Sequence, residues 1–302
     1  MKNFINISDH SSSDLRAIID EAKTRKLSRK GFNKSAPDDD KPFEGKSMAM
    51  IFEKPSTRTR MSFDIAAKQL GGSSIILNPD GIHYGKGDET LKDTAKVLTE
   101  YVDIVMLRTS SHKNLEEFGK HLDIPIINGL SDKSHPCQIM SDILTYEESN
   151  GSITGKTVSW LGDGDNNMSN SLIEAAGKFK FNLKIGCPKK YAPGKKILGW
   201  AKKNKVNLLI TQKPDEAVKN SDCVMTDKWV SMNDKVNKKT KKKVLKPFQV
   251  NKKLMKKANS NAIFMHCLPV GRGEEVTDEV IDGKQSVVWR QALNRVHAQK
   301  SI

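Results

Sequence analysis

Short apolar segments alternate with longer segments in which apolar residues recur at helical spacing along almost the whole chain. This alternation predicts an α/β protein with parallel sheets, because each crossover between parallel strands needs a connection that is usually a helix. The predicted strands are 48–52, 74–77, 104–107 and 124–127 in the first half, and 158–161, 183–186, 208–210, 223–225 and 263–265 in the second half.

The chain is long for a single hydrophobic core, since it has 302 residues and a domain typically has about 150. We therefore predict two doubly wound parallel-sheet domains joined by helices. The first domain covers residues 1–135, a linking helix covers 136–150, and the second domain covers 151–285. The C-terminal segment 286–302, helical to about residue 299, is expected to pack back on the first domain because no strand follows it.

The formal net charge is +15, and 36% of the residues are hydrophobic, which is enough for globular packing. Much of the charge lies in the lysine-rich segment 235–257, which has no interleaved aromatic residues and no nucleic-acid recognition motif. We interpret this segment as a solvated loop and helix face, and we expect no nucleic-acid partner. A general positive field would still attract an anionic substrate.

The chain has no run of about 18 apolar residues that could span a membrane, and its N-terminus lacks the pattern of a signal or transit peptide. The cysteines are too far apart in sequence for a metal knuckle or a redox pair: Cys137, Cys187, Cys223 and Cys267. We therefore expect a cytoplasmic protein with no membrane partner and no metal site.

The segment 56–60 (S-T-R-T-R) lies between a predicted strand and a predicted helix, directly after Pro55. Free backbone N–H groups, the positive end of the helix dipole and forked guanidinium donors can hold a single anion there. An isolated S-x-R-x-R would more often be an N-cap with solvated arginines. The position after a strand end favours a phosphate-binding turn.

Two more polar segments of the first half also follow predicted strands. Arg108 comes directly after strand 104–107, and H-P-C-Q (135–138) comes after strand 124–127. Because proline fits the first position of a helix, His135 should lie at the start of a helix and Gln138 in its first turn. Alone, Arg108 would be interpreted as a surface residue and His135 as a surface or capping group. Near a phosphate-binding turn, both become candidate site residues.

Three segments of the second half carry candidate chemistry. The segment 162–167 (G-D-G-D-N-N) follows a predicted strand, but Asn167 occupies the third glycine position of a dinucleotide fingerprint, so an NAD site is not expected. Asp227 follows strand 223–225 and opens D-K-W-V-S-M (227–232), and H-C-L-P (266–269) follows strand 263–265. The long segments 78–90 and 227–246 are predicted to be functional loops.

Together these motifs resemble those of the aspartate/ornithine carbamoyltransferase family, in family order from residue 52 to residue 295. The matching segments are F-E-K-P-S-T-R-T-R (52–60), H-P-C-Q (135–138), G-D-G-D-N-N (162–167), D-K-W-V-S-M (227–232), H-C-L-P (266–269) and Q-A-L-N-R (291–295). Ornithine enzymes carry H-C-L-P where aspartate enzymes carry H-P-L-P. Asn233 replaces a glycine of the family and Leu293 replaces an acid.

The resemblance implies transfer of the carbamoyl group of carbamoyl phosphate to the side-chain amine of L-ornithine, giving L-citrulline and phosphate. Putrescine, N-acetylornithine and, less readily, aspartate are the alternative acceptors. No cofactor is implied. The implied assembly is a homotrimer or a multiple of trimers, in which His83 reaches the carbamoyl phosphate of the neighbouring subunit and the active sites are shared.

The resemblance also implies a role for each matching residue. The implied catalytic residues are Arg108, His135, Asp227 and Cys267. The residues implied to bind carbamoyl phosphate are Ser56, Thr57, Arg58, Thr59, His83, Arg108, His135, Gln138, Cys267, Leu268 and Arg295. The residues implied to bind ornithine are Asn167, Asp227, Ser231 and Met232.

Two functions of other classes remain as alternatives. A non-enzymatic phosphate-binding module would need only the segment 56–60, and it would not explain Asn167, Asp227 or Cys267. A basic RNA-binding protein would be distinguished by salt-dependent retention on nucleic acid.

Overall fold

The computed structural model describes residues 3–78, 89–230 and 237–302. The chain divides into two compact units. The first is Met1–Ser141 with Leu293–Ile302, and the second is Asp142–Ala292. Each unit contains one parallel sheet with its own hydrophobic core.

The first unit is built on a four-stranded parallel sheet with the order β2-β1-β3-β4. Its strands are β1 (Ser47–Phe52), β2 (Ser73–Leu77), β3 (Ile104–Arg108) and β4 (Ile126–Leu130). The helices that begin in this unit are α1 (Ser12–Ser28), α2 (Thr57–Gln69), α3 (Leu91–Tyr101), α4 (His112–His121) and α5 (Pro136–Asn150). Apolar residues of β1 and β3 pack with α3 and α4 in one buried cluster that includes Ile51, Leu98, Leu107 and Phe118.

The second unit is built on a five-stranded parallel sheet with the order β7-β6-β5-β8-β9. Its strands are β5 (Thr157–Leu161), β6 (Asn182–Gly186), β7 (Leu208–Thr211), β8 (Cys223–Thr226) and β9 (Ile263–His266). Its helices are α6 (Asn167–Phe179), α7 (Lys195–Lys203), α8 (Pro214–Val218), α9 (Lys238–Leu245), α10 (Lys252–Met255) and α11 (Asp278–Ile281). The last helix, α12 (Val288–Ser301), begins in this unit and ends in the first.

The predicted fold class is confirmed, since both sheets are parallel and helices connect their strands. The strand prediction failed mainly at β4, which was expected at 124–127 and lies at Ile126–Leu130. Asn128 and Gly129 look like turn residues in sequence. In the fold, Asn128 is fully buried, and its NH₂ group donates to the carbonyl of Ile5 at 3.0 Å and to Ser134 Oγ at 2.8 Å, which gives this donor partners inside the strand.

The prediction of a loop from 227 to 246 is wrong from residue 238 onward, whereas most lysines of the segment 238–257 are exposed, as expected of a solvated helix face. There the chain forms α9, which Asn237 caps by accepting hydrogen bonds from the backbone N–H groups of Lys239 and Thr240. The lysines of this segment favour a helix, because lysine is a good helix former. One of them is buried. Lys241 is only 4% exposed, and its Nζ lies 2.6 Å from Asp163 Oδ2.

Helices α5 and α12 each continue from one compact unit into the other, because the unit boundaries fall at Ser141/Asp142 and at Ala292/Leu293. The functional domain bounds 1–135, 136–150 and 151–285 stay a prediction. No helix among the described residues has the length and apolar character needed to cross a membrane.

The C-terminal part of α12 is held in the first unit by buried charged groups. Lys300 Nζ contacts Asp38 Oδ2 at 2.5 Å and donates to Gln69 Oε1 at 3.1 Å, and Arg29 contacts the other oxygen of Asp38 at 2.6 Å. His297 is 5% exposed on the same helix. Burial, and then the nearby cations Lys26, Lys300 and Arg29, lower the pKa of His297 to about 4.

Replacing His297 with Gln should therefore reduce the acid sensitivity of the protein. Because the pKa of His297 is about 4 in the folded chain and about 6.5 in the unfolded chain, its contribution to stability is present above pH 6.5 and declines as the pH falls towards 4. Linkage puts that loss at about 2 kcal/mol between pH 7 and pH 5. Urea unfolding at the two pH values measures it, and an equal loss in both proteins would contradict the assignment.

Candidate active site

The turn between β1 and α2 forms an anion-binding geometry. Ser56 is the N-cap of α2, and its side chain accepts a hydrogen bond from the backbone N–H of Thr59 at 3.4 Å. The first backbone N–H groups of α2 have no partner within the helix, and the helix dipole is positive at this end. In the parallel pairing of β1 and β3, Phe52 lies opposite Arg108, so the turn and Arg108 share one edge of the sheet.

Thr59 joins three separate segments of the first unit. The residue is fully buried, and its Oγ1 accepts hydrogen bonds from Arg108 Nη1 at 3.1 Å and from Arg295 Nη2 at 2.9 Å. Arg295 Nη1 also donates to Gln138 Oε1 at 2.9 Å. The structure thus brings together Thr59, Arg108, Gln138 and Arg295, which come from α2, β3, α5 and α12.

His135 lies at the start of α5 and is 3% exposed. Its pKa is well below the ordinary range, first because of burial and then because of the guanidinium groups of Arg295, Arg108 and Arg58. The imidazole is therefore neutral at neutral pH. Three guanidinium groups near one neutral ring produce a positive potential that favours a bound anion.

Asp227 and Cys267 follow neighbouring strands of the second unit. Thr226 at the end of β8 lies opposite His266 at the end of β9, so the residues that follow them meet at the same edge of the sheet. The Cys267 thiol donates to Asp227 Oδ1 at 3.1 Å. The expected pairing of a carboxylate and a thiol is therefore present in the structure.

His266 fixes the turn that carries Cys267 and Leu268. Its Nδ1 accepts a hydrogen bond from the backbone N–H of Leu268 at 2.8 Å, which leaves the ring proton on Nε2, 3.2 Å from Glu275 Oε1. His266 and Glu275 are almost completely buried. Leu268 has φ of +59°, a conformation uncommon for a side chain other than glycine. The imidazole therefore holds this turn in an unusual backbone geometry.

The side chains of Asp227, His266 and Cys267 offer ligand atoms that lie within 4.8 Å of one another, which raises the question of a metal site. Both nitrogens of His266 are already engaged, with Leu268 and Glu275. A metal ligand needs a free lone pair on the ring. The donor set therefore fits a hydrogen-bonded network better than a metal centre.

Asn167 is the first residue of α6, as the G-D-G-D-N-N motif predicted. The neighbouring Asn166 is the N-cap, and its Oδ1 accepts from the backbone N–H of Ser169 at 2.8 Å. Asn166 thereby satisfies one N–H of the helix start. Asn167 lies at the positive end of the dipole of α6, a suitable location for binding a carboxylate.

Several predicted positions lie outside the described residues: His83, Ser231, Met232 and Asn233. Leu293 is described, and its side chain is 53% exposed. The loss of the family's acid at this position therefore places no apolar group in a polar interior.

Comparison with known proteins gives the family. Residues 2–148 match the family described as aspartate/ornithine carbamoyltransferase, carbamoyl-P binding domain, and residues 154–302 match its Asp/Orn binding domain. The chain belongs to the aspartate/ornithine carbamoyltransferase family. The resemblance inferred from the sequence motifs is thereby confirmed.

Curated relatives match over the full length. The ornithine carbamoyltransferase of Brucella ovis is 49% identical over 302 residues, which is all of this chain and 94% of the relative. The one of Rhizobium meliloti is 49% identical over 301 residues, which is 100% of this chain and 97% of the relative.

Solved structures of the family share the fold. The ornithine carbamoyltransferase of Pyrococcus furiosus has a TM-score of 0.93 at 42% identity, covering 99% of this chain and 95% of that one. The anabolic ornithine carbamoyltransferase of Campylobacter jejuni has a TM-score of 0.90 at 35% identity, covering 100% of this chain and 97% of that one.

Sequence reasoning missed Glu53, although this residue lies inside the F-E-K-P-S-T-R-T-R motif. Its carboxylate accepts from Thr109 Oγ1 at 2.6 Å, and from the backbone N–H and hydroxyl of Ser110 at 2.9 and 3.0 Å. Glu53 therefore fastens the loop after Arg108 to the loop that precedes α2. The only sequence signal was its place in the motif, because its partners are more than 50 residues away.

The Thr59→Val variant should bind inorganic phosphate about tenfold to a hundredfold more weakly, because the two guanidinium groups lose the acceptor that orients them, and one hydrogen bond to a charged group is worth about 1.5–3 kcal/mol. Valine keeps the shape of the buried side chain and removes only its acceptor. Thr59→Ser keeps the hydroxyl and should bind phosphate almost as the original chain does. Isothermal titration calorimetry gives the affinities, and a Val variant with unchanged affinity would show that Thr59 does not organise the two arginines.

Proposed function

We propose that the protein transfers the carbamoyl group of carbamoyl phosphate to the side-chain amine of L-ornithine, giving L-citrulline and phosphate for arginine biosynthesis. The observation that carries this proposal is the hydrogen bond from the Cys267 thiol to Asp227. It lies within H-C-L-P, the form of the motif found in ornithine enzymes. The full-length relatives named ornithine carbamoyltransferase support the same acceptor, and a relative described as anabolic supports the biosynthetic direction.

The reaction makes three demands on a protein. It must hold the dianionic phosphate group, stabilise the negative charge that builds on the carbonyl oxygen, and present the ornithine amine without its proton. An alkylamine has a pKa of about 10 in water, so the last demand is the hardest. The first unit has features suited to the first two demands, and the second unit to the third.

The start of α2 and the arginines around Thr59 suit the phosphate group. In this proposal the leaving phosphate is bound by Ser56, Thr57, Arg58, Thr59 and Arg295. Their backbone N–H groups, hydroxyls and guanidinium donors are the groups that protein sites use for phosphate. Because Arg58 and Arg295 remain charged as phosphate departs, they also stabilise the leaving group.

Arg108 and His135 suit the carbonyl oxygen, and Gln138 and the Leu268 carbonyl suit the carbamoyl NH₂ group. The lowered pKa of His135 keeps its imidazole neutral, so the ring acts as a hydrogen-bond donor and not as a second cation. Donors fixed before the reaction are worth about 3 kcal/mol each in comparable oxyanion sites.

Ornithine binding is assigned to the second unit. The start of α6 at Asn167 suits the α-carboxylate, and Asp227 suits the side-chain amine, with Ser231 and Met232 completing the site. We assign residues 1–135 to carbamoyl phosphate and 151–285 to ornithine. The matched domain descriptions, carbamoyl-P binding and Asp/Orn binding, support this division.

Direct attack by the amine fits the structure better than a carbamoyl-thioester intermediate on Cys267. The nucleophilic form of cysteine is the thiolate. A thiol that donates a hydrogen bond to a carboxylate still carries its proton. The bond to Asp227 instead orients both groups towards one amine.

Steady-state formation of the carbamoylated product, measured with ornithine, putrescine and N-acetylornithine side by side, tests the proposal. We expect kcat/KM for ornithine to exceed the others by about a hundredfold or more, because an acceptor without a free α-carboxylate or α-amine leaves polar groups of the site unpaired. Asp227→Asn should lower the ornithine rate. A preference for another acceptor would contradict the proposed substrate, and a carbamoyl adduct on Cys267 in mass spectra would contradict direct attack.

We also propose a cytoplasmic homotrimer, or a multiple of trimers, with active sites shared between subunits. Several large apolar side chains of α2, β2 and α3 are exposed, and they support burial against another copy: Met61 at 54%, Ile75 at 49%, Val97 at 49% and Tyr101 at 75%. Large exposed apolar patches often mark an interface with a partner. His83 follows β2 in sequence, which suits a contribution to a neighbouring subunit.

Mixing two inactive variants tests the shared site. His83→Ala and Arg108→Ala proteins, dissociated together and reassembled, should recover a fraction of activity, because some sites then receive an intact residue from each subunit. Each variant taken alone through the same procedure is the control. Near-normal activity of His83→Ala by itself, or no recovery in the mixture, would contradict sharing.

A further inference from the structure

The side chain of Gln291 connects α5 to the end of β9 within the second unit. Its Nε2 donates to Asp142 Oδ1 at 2.7 Å, and its Oε1 accepts from the backbone N–H of His266 at 3.0 Å. Gln291 and Asp142 are each 1% exposed. Neither hydrogen bond was suggested by the sequence motifs, although Gln291 opens Q-A-L-N-R.

Strand β9 is at the edge of the sheet, and the backbone N–H of His266 points outward, away from β8. Along that edge, the N–H of Phe264 donates to the Gln285 carbonyl at 2.7 Å, and the N–H of Val287 donates to the Phe264 carbonyl at 3.0 Å. His266 is the next residue whose N–H faces outward, since alternate residues of a strand face the same way. At this position Gln291 supplies a side-chain acceptor where the backbone supplies none.

The two partners restrict which side chain can occupy position 291. A carboxylate only accepts hydrogen bonds, and a backbone N–H only donates. The side chain between Asp142 and His266 must therefore donate at one end and accept at the other. A carboxamide does both with a fixed geometry. A glutamate would place a second carboxylate against Asp142, and an apolar side chain would make neither hydrogen bond.

This arrangement lies one residue from Cys267. The backbone of His266 continues directly into Cys267, whose thiol donates to Asp227 at 3.1 Å. The His266 ring fixes the far side of the same turn through Leu268 and Glu275. Thus two buried groups set the turn: the imidazole acts on the residue after Cys267, and the Gln291 amide acts on the residue before it.

We propose that Asp142 and Gln291 are positioning residues that set the place of the Cys267 thiol relative to Asp227. Neither touches the acceptor amine; they act through the backbone of His266. The consequence for catalysis rests on the proposed function: loss of the pair should weaken ornithine binding more than carbamoyl phosphate binding, to which this turn is assigned only the Leu268 carbonyl.

The exchange of the two side-chain types tests the proposal. Gln291→Glu should raise the ornithine KM about tenfold and the carbamoyl-phosphate KM by a smaller factor, because two carboxylates then face each other. Adding Asp142→Asn restores one donor and one acceptor across the same contact, so the double variant should return to within about twofold of the original ornithine KM. Gln291→Met removes both hydrogen bonds without adding charge and serves if the Glu variant does not fold.

A second readout does not depend on turnover. The rate at which iodoacetamide labels Cys267, followed by mass spectrometry, should increase about threefold or more in Gln291→Glu, because a thiol that has lost its hydrogen bond to Asp227 is freer to react with the reagent. It should fall back in the double variant. The other cysteines, Cys137, Cys187 and Cys223, are buried and give the background rate.

Gln285→Glu is the matched control. Gln285 donates to the Ala262 carbonyl at 2.8 Å on the same edge of β9, far from the Cys267 turn along the strand. The Gln285→Glu variant should have a lower melting temperature, with an unchanged labelling rate and ornithine KM.

Equal increases of both KM values in Gln291→Glu, unchanged labelling, or no recovery in the double variant would overturn the positioning role. Absence of product with every acceptor, together with the expected labelling pattern, would overturn the proposed function alone.

Discussion

One hydroxyl group holds the first unit's candidate site together. Thr59 accepts hydrogen bonds from two guanidinium groups that come from β3 and α12, residues 49 and 236 positions away in sequence. Buried cations need acceptors, and two of them near one oxygen repel each other. The site therefore has a local charge imbalance when no anion is bound. In the proposed function, a phosphate dianion offsets this positive charge. The hydrogen bonds to Thr59 hold the two arginines in place for it.

The second unit solves a different electrostatic problem. Its candidate groups are a carboxylate, a protonated thiol and a buried His266–Glu275 contact, and none of them is a guanidinium group. In the proposed function, Asp227 attracts the cationic amine of ornithine, which must lose its proton to react. The Cys267 thiol, which donates a hydrogen bond to that carboxylate, is assigned to the same amine. The opposite character of the two units corresponds to the opposite charges of the two substrates.

Much of this arrangement could be predicted from the sequence, because parallel strands place their carboxyl ends at one edge of a sheet. Arg108 directly follows a predicted strand, and Asp227 and Cys267 each lie one residue further from theirs, although their roles came from the family resemblance. The contacts that could not be predicted join residues far apart in sequence. Glu53 with Ser110 and Asp142 with Gln291 depend on packing that no local pattern encodes. The burial of Lys241 could not be predicted for the same reason. Its partner Asp163 is distant in sequence, and the neighbouring lysines are solvated.

Helices α5 and α12 carry polar residues one helical turn apart on either side of the unit boundary. Gln138 and Asp142 lie on α5, and their partners Arg295 and Gln291 lie in reverse order on α12. Each hydrogen-bonded pair falls entirely within one unit. A chain formed by recombination between family members at these two boundaries would therefore inherit each pair intact from one parent. A one-residue insertion in either helix between its two polar positions would instead turn one of them by about 100°.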